Sequence, residues 1–218
     1  MKRILSLSIF ISIAALASLG QERYVGPRDE ASQDKTFVAF RNKLIAAAER
    51  RDLRYVKSVM DPKIKLSFGG HEGVEDFEEL WPDKMRFWKE FLAVIKNGGV
   101  WFREGGASKG LFTAPYSFDG FPSDLDAFEH FVIFGSDVNL RKSPGTGGEI
   151  VGRLSYNIVK IVDAAVDHKE RPAWHKVRTL GGQTGYVAAD YVRSPIDYRA
   201  GFEKKKGSWV MTFFLAGD

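Results

Sequence analysis

The chain has 218 residues, 44% hydrophobic, 28% charged and 13% aromatic, a balance that belongs to globular chains and excludes a disordered or fibrous one. It has no cysteine, which excludes disulfides, thiolate metal sites, cysteine nucleophiles and a lipid-modified N-terminal cysteine. The formal charge of +4 is spread among acidic residues, so no concentrated basic stripe is available to track a nucleic-acid backbone.

Met1 to Gly20 begins with Lys2 and Arg3, continues through an uncharged run from Ile4 to Leu19, and ends in small residues, the pattern of a cleaved secretory signal peptide. Cleavage after Ala17 or after Gly20 fits, the second being preferred. The uncharged run of about 16 residues is short of the roughly 20 that span a bilayer, so no stable membrane anchor is expected after cleavage. The expected location is therefore secreted or periplasmic, and the protein is not a lipoprotein. Removal of this segment lowers the net charge to about +2.

Residues 21–34 are polar, contain Gly26-Pro27, and read as a flexible leader. From Lys35, the three- and four-residue spacing of Phe37, Phe40, Leu44, Ala47 and Ala48 predicts an amphipathic helix capped by Asp34. Leu53, Val56 and Val59 or Met60 predict a second short helix stopped by Asp61-Pro62. Lys63 to Phe68 alternates, so Ile64, Leu66 and Phe68 should face inward from a strand. Val74 to Lys96 returns to helical spacing, interrupted at Pro82, with Met85, Trp88, Phe91, Leu92 and Ile95 on its apolar side and Asn97-Gly98-Gly99 as its stop. Val100 to Phe102, Gly110 to Tyr116 and Phe131 to Phe134 are short strands. Helices covering one face of an antiparallel sheet predict an α+β domain over residues 35–134. The order of elements, with the phrase from Arg51-Asp52 to Ser67-Phe68-Gly69, resembles the NTF2-like and cystatin-like folds.

From residue 135 to 194, short alternating segments separated by glycine and proline turns predict a compact all-β barrel. Val138-Asn139-Leu140-Arg141 precedes a turn with Ser143-Pro144-Gly145. Trp174 and Val177 form a W-x-x-V strand, Gly182 and Gly185-Tyr186-Val187 follow, and Tyr191-Val192 closes the set. In this order the motifs resemble the bacterial SH3-like (SH3b) family over residues 136–193, with Tyr186 where tryptophan is commoner and a long charged loop, residues 163–173, that carries His168. Residues 195–218 read as two strands joined at Lys204-Lys205-Lys206-Gly207. The second, from Trp209 to Leu215, is apolar on both faces, which predicts a place inside a sheet covered on both sides. The hairpin is expected to complete the α+β domain, leaving the barrel inserted near the C-terminus. A hairpin attached to the barrel is the alternative.

No catalytic constellation is present in the sequence. His71-Glu72 with Glu75 and Asp76 lacks the second histidine of HExxH and reads as a charged loop before a helix. His130, His168 and His175 are scattered, and Ser143 and Ser155 lack a nucleophile elbow. No enzyme activity, metal or cofactor is expected. The SH3-like resemblance implies binding, with Tyr156, Trp174, Tyr186 and Tyr191 as amphipathic aromatics and Asn139 and Arg141 beside them. Trp174 reads more readily as packing, Asn139 as closing a turn, and Arg141 as bracing a loop. The expected partner is peptidoglycan peptide or an envelope protein. The alternative function is a small-ligand-binding or enzymatic pocket in the first half, lined from Trp81, Trp88, Trp101, Phe112, Tyr116 and His130. A third possibility is that the first half covers the barrel's aromatic face.

Overall fold

A computed structural model describes residues 20–104, 107–162 and 172–217. The predicted signal segment, up to residue 19, and most of the loop with His168 lie outside the described residues.

Helix α1 (Lys35–Glu49) starts where expected: the extended Asp34 accepts hydrogen bonds from the Thr36 and Phe37 amides at 2.7 and 3.2 Å. Its inward stripe of Phe37, Leu44, Ala47 and Ala48 is buried. Helix α2 (Leu53–Ser58), capped by Asp52, stops before the predicted Asp61-Pro62 break. The Val59 carbonyl is taken by the Met211 amide at 2.8 Å, and strand β1 (Met60–Lys65) begins at once. Pro62 therefore sits inside β1, which is an edge strand and can lack a donor. Ile64 and Leu66 are buried as predicted, whereas Phe68 is 59% exposed. The strand has ended by then, and the Ser67 hydroxyl turns the chain by accepting from the Gly69 and His71 amides.

Pro82 splits the next helical stretch into α3 (Phe77–Leu80) and α4 (Lys84–Ile95), the latter capped by Asp83. Phe87, Trp88, Phe91, Val94 and Ile95 are buried, but Met85, expected on the apolar side, is exposed on the first turn. Strands β2 (Val100–Glu104) and β3 (Ala107–Ala114) follow, then the short α5 (Tyr116–Gly120).

The chain returns to this first sheet only after residue 198. Strands β11 (Arg199–Lys205) and β12 (Ser208–Leu215) form a hairpin whose two-residue turn, Lys206-Gly207, has both residues at positive φ, as right-handed strand twist favours. The order is β1-β12-β11-β3-β2, with β1 parallel to β12 and the other neighbours antiparallel. The hairpin thus fills the gap between β1 and β3. Phe37, Phe91, Phe112, Phe202 and Phe214 make the centre of a core between helices and sheet, with Phe37 and Phe112 centroids 4.3 Å apart.

Strand β12 does not bury both faces along its length. The register slips at Gly201 and Phe202, which face Phe213 and Met211, leaving Thr212 as the extra residue of a bulge. Met211 and Phe214 consequently share the core side, while Val210, Thr212 and Phe213 are only half-buried.

The second sheet contains β4 (His130–Ile133), β5 (Val138–Arg141), β6 (Ile150–Leu154), β7 (Ile158–Ile161), β8 (Trp174–Thr179), β9 (Thr184–Ala188) and β10 (Val192–Arg193). Its order is β10-β4-β7-β8-β9-β5-β6. Ile133, Val138, Leu140, Leu154, Val159, Val177 and Val187 gather in one cluster, so the sheet curls around a single small core. The strand expected at Phe131 to Phe134 belongs to this sheet, paired with β7 and β10, rather than to the first.

The predicted flexible leader is instead held by both halves. The Val25 amide donates to the Tyr156 carbonyl, the Ile158 amide to Arg23, and Glu22 accepts from Gly181 and Asn157. Farther along, Gly99 exchanges backbone hydrogen bonds with Arg28 and Glu30, and Arg41 grips Asp29 through two bonds of 2.7 and 2.6 Å. Polarity here marks a strand-like strap whose backbone groups find partners, with Val25 and Ala31 supplying buried apolar anchors.

Candidate binding groove on the second sheet

Alternation along β5 turns Val138 and Leu140 into the core and leaves Asn139 and Arg141 on the outer face. On β8 and β9, Val177 and Val187 point inward, while Trp174 stands opposite Ala188 and Lys176 opposite Tyr186 on the outer face. The short 3-10 turn Ala189–Tyr191 brings Tyr191 across the end of this face, and its carbonyl is fixed by the Phe134 amide at 2.8 Å. The result is a groove of about 250 Å³ lined by Asp137, Asn139, Arg141, Thr146, Trp174 and Tyr191 among others.

Each of these side chains has a different state. Tyr191 is 47% exposed. Trp174, expected as a packing residue, is half-buried on the outer wall and outside the core cluster, because the inward positions of β8 fall on His175, Val177 and Thr179. Arg141 braces the loop that follows it, as expected, donating to the Gly148 carbonyl at 2.7 Å. Asp137, at φ +56°, pairs with Arg153 at 2.6 Å and its amide donates to the Ser155 hydroxyl. Asn139 closes no turn through its side-chain oxygen: Oδ1 is buried and has no hydrogen-bond partner. An orphaned acceptor on a residue that lines the groove with Trp174 and Tyr191 fits a ligand N–H, since leaving it unpaired costs about 1–3 kcal/mol.

Of the six residues singled out from sequence, Asn139, Arg141, Trp174 and Tyr191 meet in the groove. Tyr186 lies on the same outer face, directly opposite Arg141, with the Lys176 ammonium 6.0 Å from its ring. Tyr156 does not belong. A positive φ of 60° at the turn before β7 sends it to the seam between the two halves, beside Tyr116 and Phe134. Asp137 and Thr146 were missed. The polar turn residues around the V-N-x-R phrase were the available signal.

The first half offers less. Trp81, Trp88, Phe112 and Tyr116 are core residues, and His130 rests against the Asp126 carbonyl on the second sheet. A cavity of about 450 Å³ lies against Trp101, Trp209, Asp34, Glu203 and Lys204. Several of its polar groups are already engaged: Asp34 caps α1, Lys204 and Trp209 both donate to the Thr36 hydroxyl, and Trp101 donates to the Glu30 carbonyl. The polar cluster before α3 is also internally paired, with Asp76 accepting from the Glu72 amide and His71 near Glu79 at 3.6 Å.

Residues 136–193 match the family model of the bacterial SH3 domain. No curated protein and no solved structure matches the chain. The matched segment covers β5 through β10, while β4, which completes the curled sheet, lies just before it.

Proposed function

From a bacterial SH3 domain at residues 136–193, a binding module of the kind often found in cell-envelope proteins, we propose a secreted or periplasmic protein that captures peptide on this groove. Its partner is a peptidoglycan stem peptide or an extended segment of an envelope protein. The carrying observation is the buried, unpartnered Oδ1 of Asn139, a residue that lines the same groove as Trp174 and Tyr191. A peptide N–H satisfies that oxygen while the two rings cover flat apolar area at small entropic cost. Export rests on Met1 to Gly20 in the sequence.

The role is non-catalytic in this reading. Ser155 uses its hydroxyl to accept from the Asp137 amide, and among the described residues no three His, Asp or Glu side chains gather as metal ligands. Nucleic acid is not a partner, because Lys205 of the lysine turn is paired with Asp61 at 2.7 Å rather than set in a basic stripe.

Purified sacculi provide the test. Wild-type protein is retained, and Trp174→Ala or Tyr191→Ala each weakens retention by about 2 kcal/mol, roughly thirtyfold. Tyr156→Ala leaves it unchanged. Failure of wild-type protein to bind sacculi removes the wall ligand, and release of soluble fragments removes the non-catalytic reading.

A further inference from the structure

The charges that line the groove of the second sheet bear on which part of a peptide lies there. Arg141 faces Tyr186 across the β5–β9 pair, and antiparallel pairing then sets Asn139 level with Ala188, which in turn faces Trp174. Asn139, Ala188 and Trp174 thus make one row across β5, β9 and β8, with the shortest side chain in the middle, and all three line the groove. Arg141 is in the next row. Its hydrogen bond to the Gly148 carbonyl draws its guanidinium toward the loop that contributes Thr146 to the same lining.

The charge balance of this lining is uneven. Asp137 is paired with Arg153 at 2.6 Å, and in the loop Lys142 is paired with Glu149 at 3.3 Å. Arg141 is half-buried, and among the described residues no carboxylate pairs with it, since the bond through its Nη1 goes to a neutral carbonyl. A partly desolvated cation without a counter-ion favours an anion that can reach it. Two residues away, Asn139 Oδ1 is a buried acceptor without a donor. One strand therefore presents, on one face, a place for a negative group and a place for an N–H.

Resting on the peptide reading of this groove, we propose that it takes the free C-terminal end of a peptide, with the α-carboxylate on Arg141 and a backbone N–H on Asn139 Oδ1. Arginine suits the first task because its planar fork presents donors to carboxylate oxygens, and only one of its nitrogens is committed to Gly148. An internal peptide segment would supply the N–H without the charge, and a simple carboxylate the charge without the N–H. The small Ala188 in the lining and the volume of about 250 Å³ favour a terminal residue with a short side chain. A peptidoglycan stem peptide, which ends in D-alanine, is the source that fits.

The experiment is titration of the full chain, labelled with nitrogen-15, by acetyl-D-alanyl-D-alanine as the free acid, by its C-terminal amide, and by the free acid of the L,L form. The D,D acid shifts the amides of Asn139, Arg141 and Ala188 and leaves that of Gly98, at the seam, unmoved. The C-terminal amide binds about tenfold or more weakly, as loss of a hydrogen-bonded charge requires. Arg141→Met abolishes that difference between acid and amide, and Arg141→Lys, which keeps the charge, restores part of it. Because Arg141 also braces the loop, Asn139→Asp gives a second reading: it keeps an acceptor and adds a negative charge, so acid binding falls while amide binding holds. Equal binding of acid and amide by the wild type overturns the terminal carboxylate and leaves peptide capture standing. No shift from any of the three peptides, while sacculi still retain the protein, overturns it as well, whereas loss of retention on sacculi removes the wall ligand beneath it. Tighter binding of the L,L acid assigns a protein tail and overturns the stem-peptide source.

Discussion

Asp61 is a nearly buried carboxylate on an edge strand, and its charge is held there by a Lys205 hydrogen bond and by the Lys63 amide, at 2.7 and 2.8 Å. The Lys205 hydrogen bond, followed by the Lys63 amide, lowers its pKa below the ordinary 3.8. A depressed carboxylate contributes stability that is fully present above its unfolded value and disappears as pH falls through the folded one. The stability difference between wild type and Asp61→Asn, followed by urea unfolding, is therefore constant from neutral pH to about pH 5 and shrinks below about pH 4. A difference that instead grows on acidification contradicts this assignment. The Lys204 to Lys206 run reads from sequence only as a solvated turn. That its middle lysine reaches back to β1 depends on a hairpin register that no local pattern encodes.

At the level of elements, the β12 bulge decides which aromatic residues enter the core. Gly201 lies directly opposite Phe213, and a Cβ there would come 2.1 Å from the ring, so the strand accommodates the aromatic only because this position has no side chain. Gly201→Ala is expected to destabilise the protein by about 1–3 kcal/mol through overpacking, measured as a lower urea midpoint at unchanged slope. The continuous apolar run from Trp209 to Leu215 predicts an internal strand, and β12 is internal. Its second face is half-open because the bulge changes the alternation at Thr212, a tertiary adjustment invisible to a period-two reading. The helices were more legible: Asp34, Pro82 and Gly98 punctuate α1 and α4 by backbone chemistry that acts within one turn.

For the molecule as a whole, the strap and a third small core join the halves. Val25, Tyr116, Val132 and Ile158 are buried together, Arg193 stacks on Phe134 at 5.7 Å and donates to the Tyr198 carbonyl, and Lys89 on α4 meets Asp190 at 3.3 Å. The exposed ion pair adds little, whereas the apolar cluster couples the sheets. Wild-type protein should lose hydrogen-exchange protection in β7 and β12 at the same denaturant concentration. Val25→Asp, which places a charge in that cluster, should separate the two transitions, β7 opening first. Coincident loss in the variant would show that the strap does not couple them.

The amino-acid sequence by itself determined the helices up to Ile95, most strands and the bacterial SH3 segment, because caps, prolines, glycine turns and alternating apolar residues act over a few positions, whereas α5 falls where a strand was expected to end at Tyr116. It also placed Asn139, Arg141, Trp174 and Tyr191 among the binding candidates. Only the tertiary structure decided that these four converge, that Tyr156 leaves them for the seam, and that a polar leader becomes a strap. Each of those outcomes depends on strand register or on contacts between residues 100 or more positions apart, such as Glu22 with Asn157 and Arg23 with Asp124. Periodicity fixes which way a side chain faces within its own element. The neighbour that it meets is fixed when the sheets curl and dock, and only then does the unpaired oxygen of Asn139 join a groove.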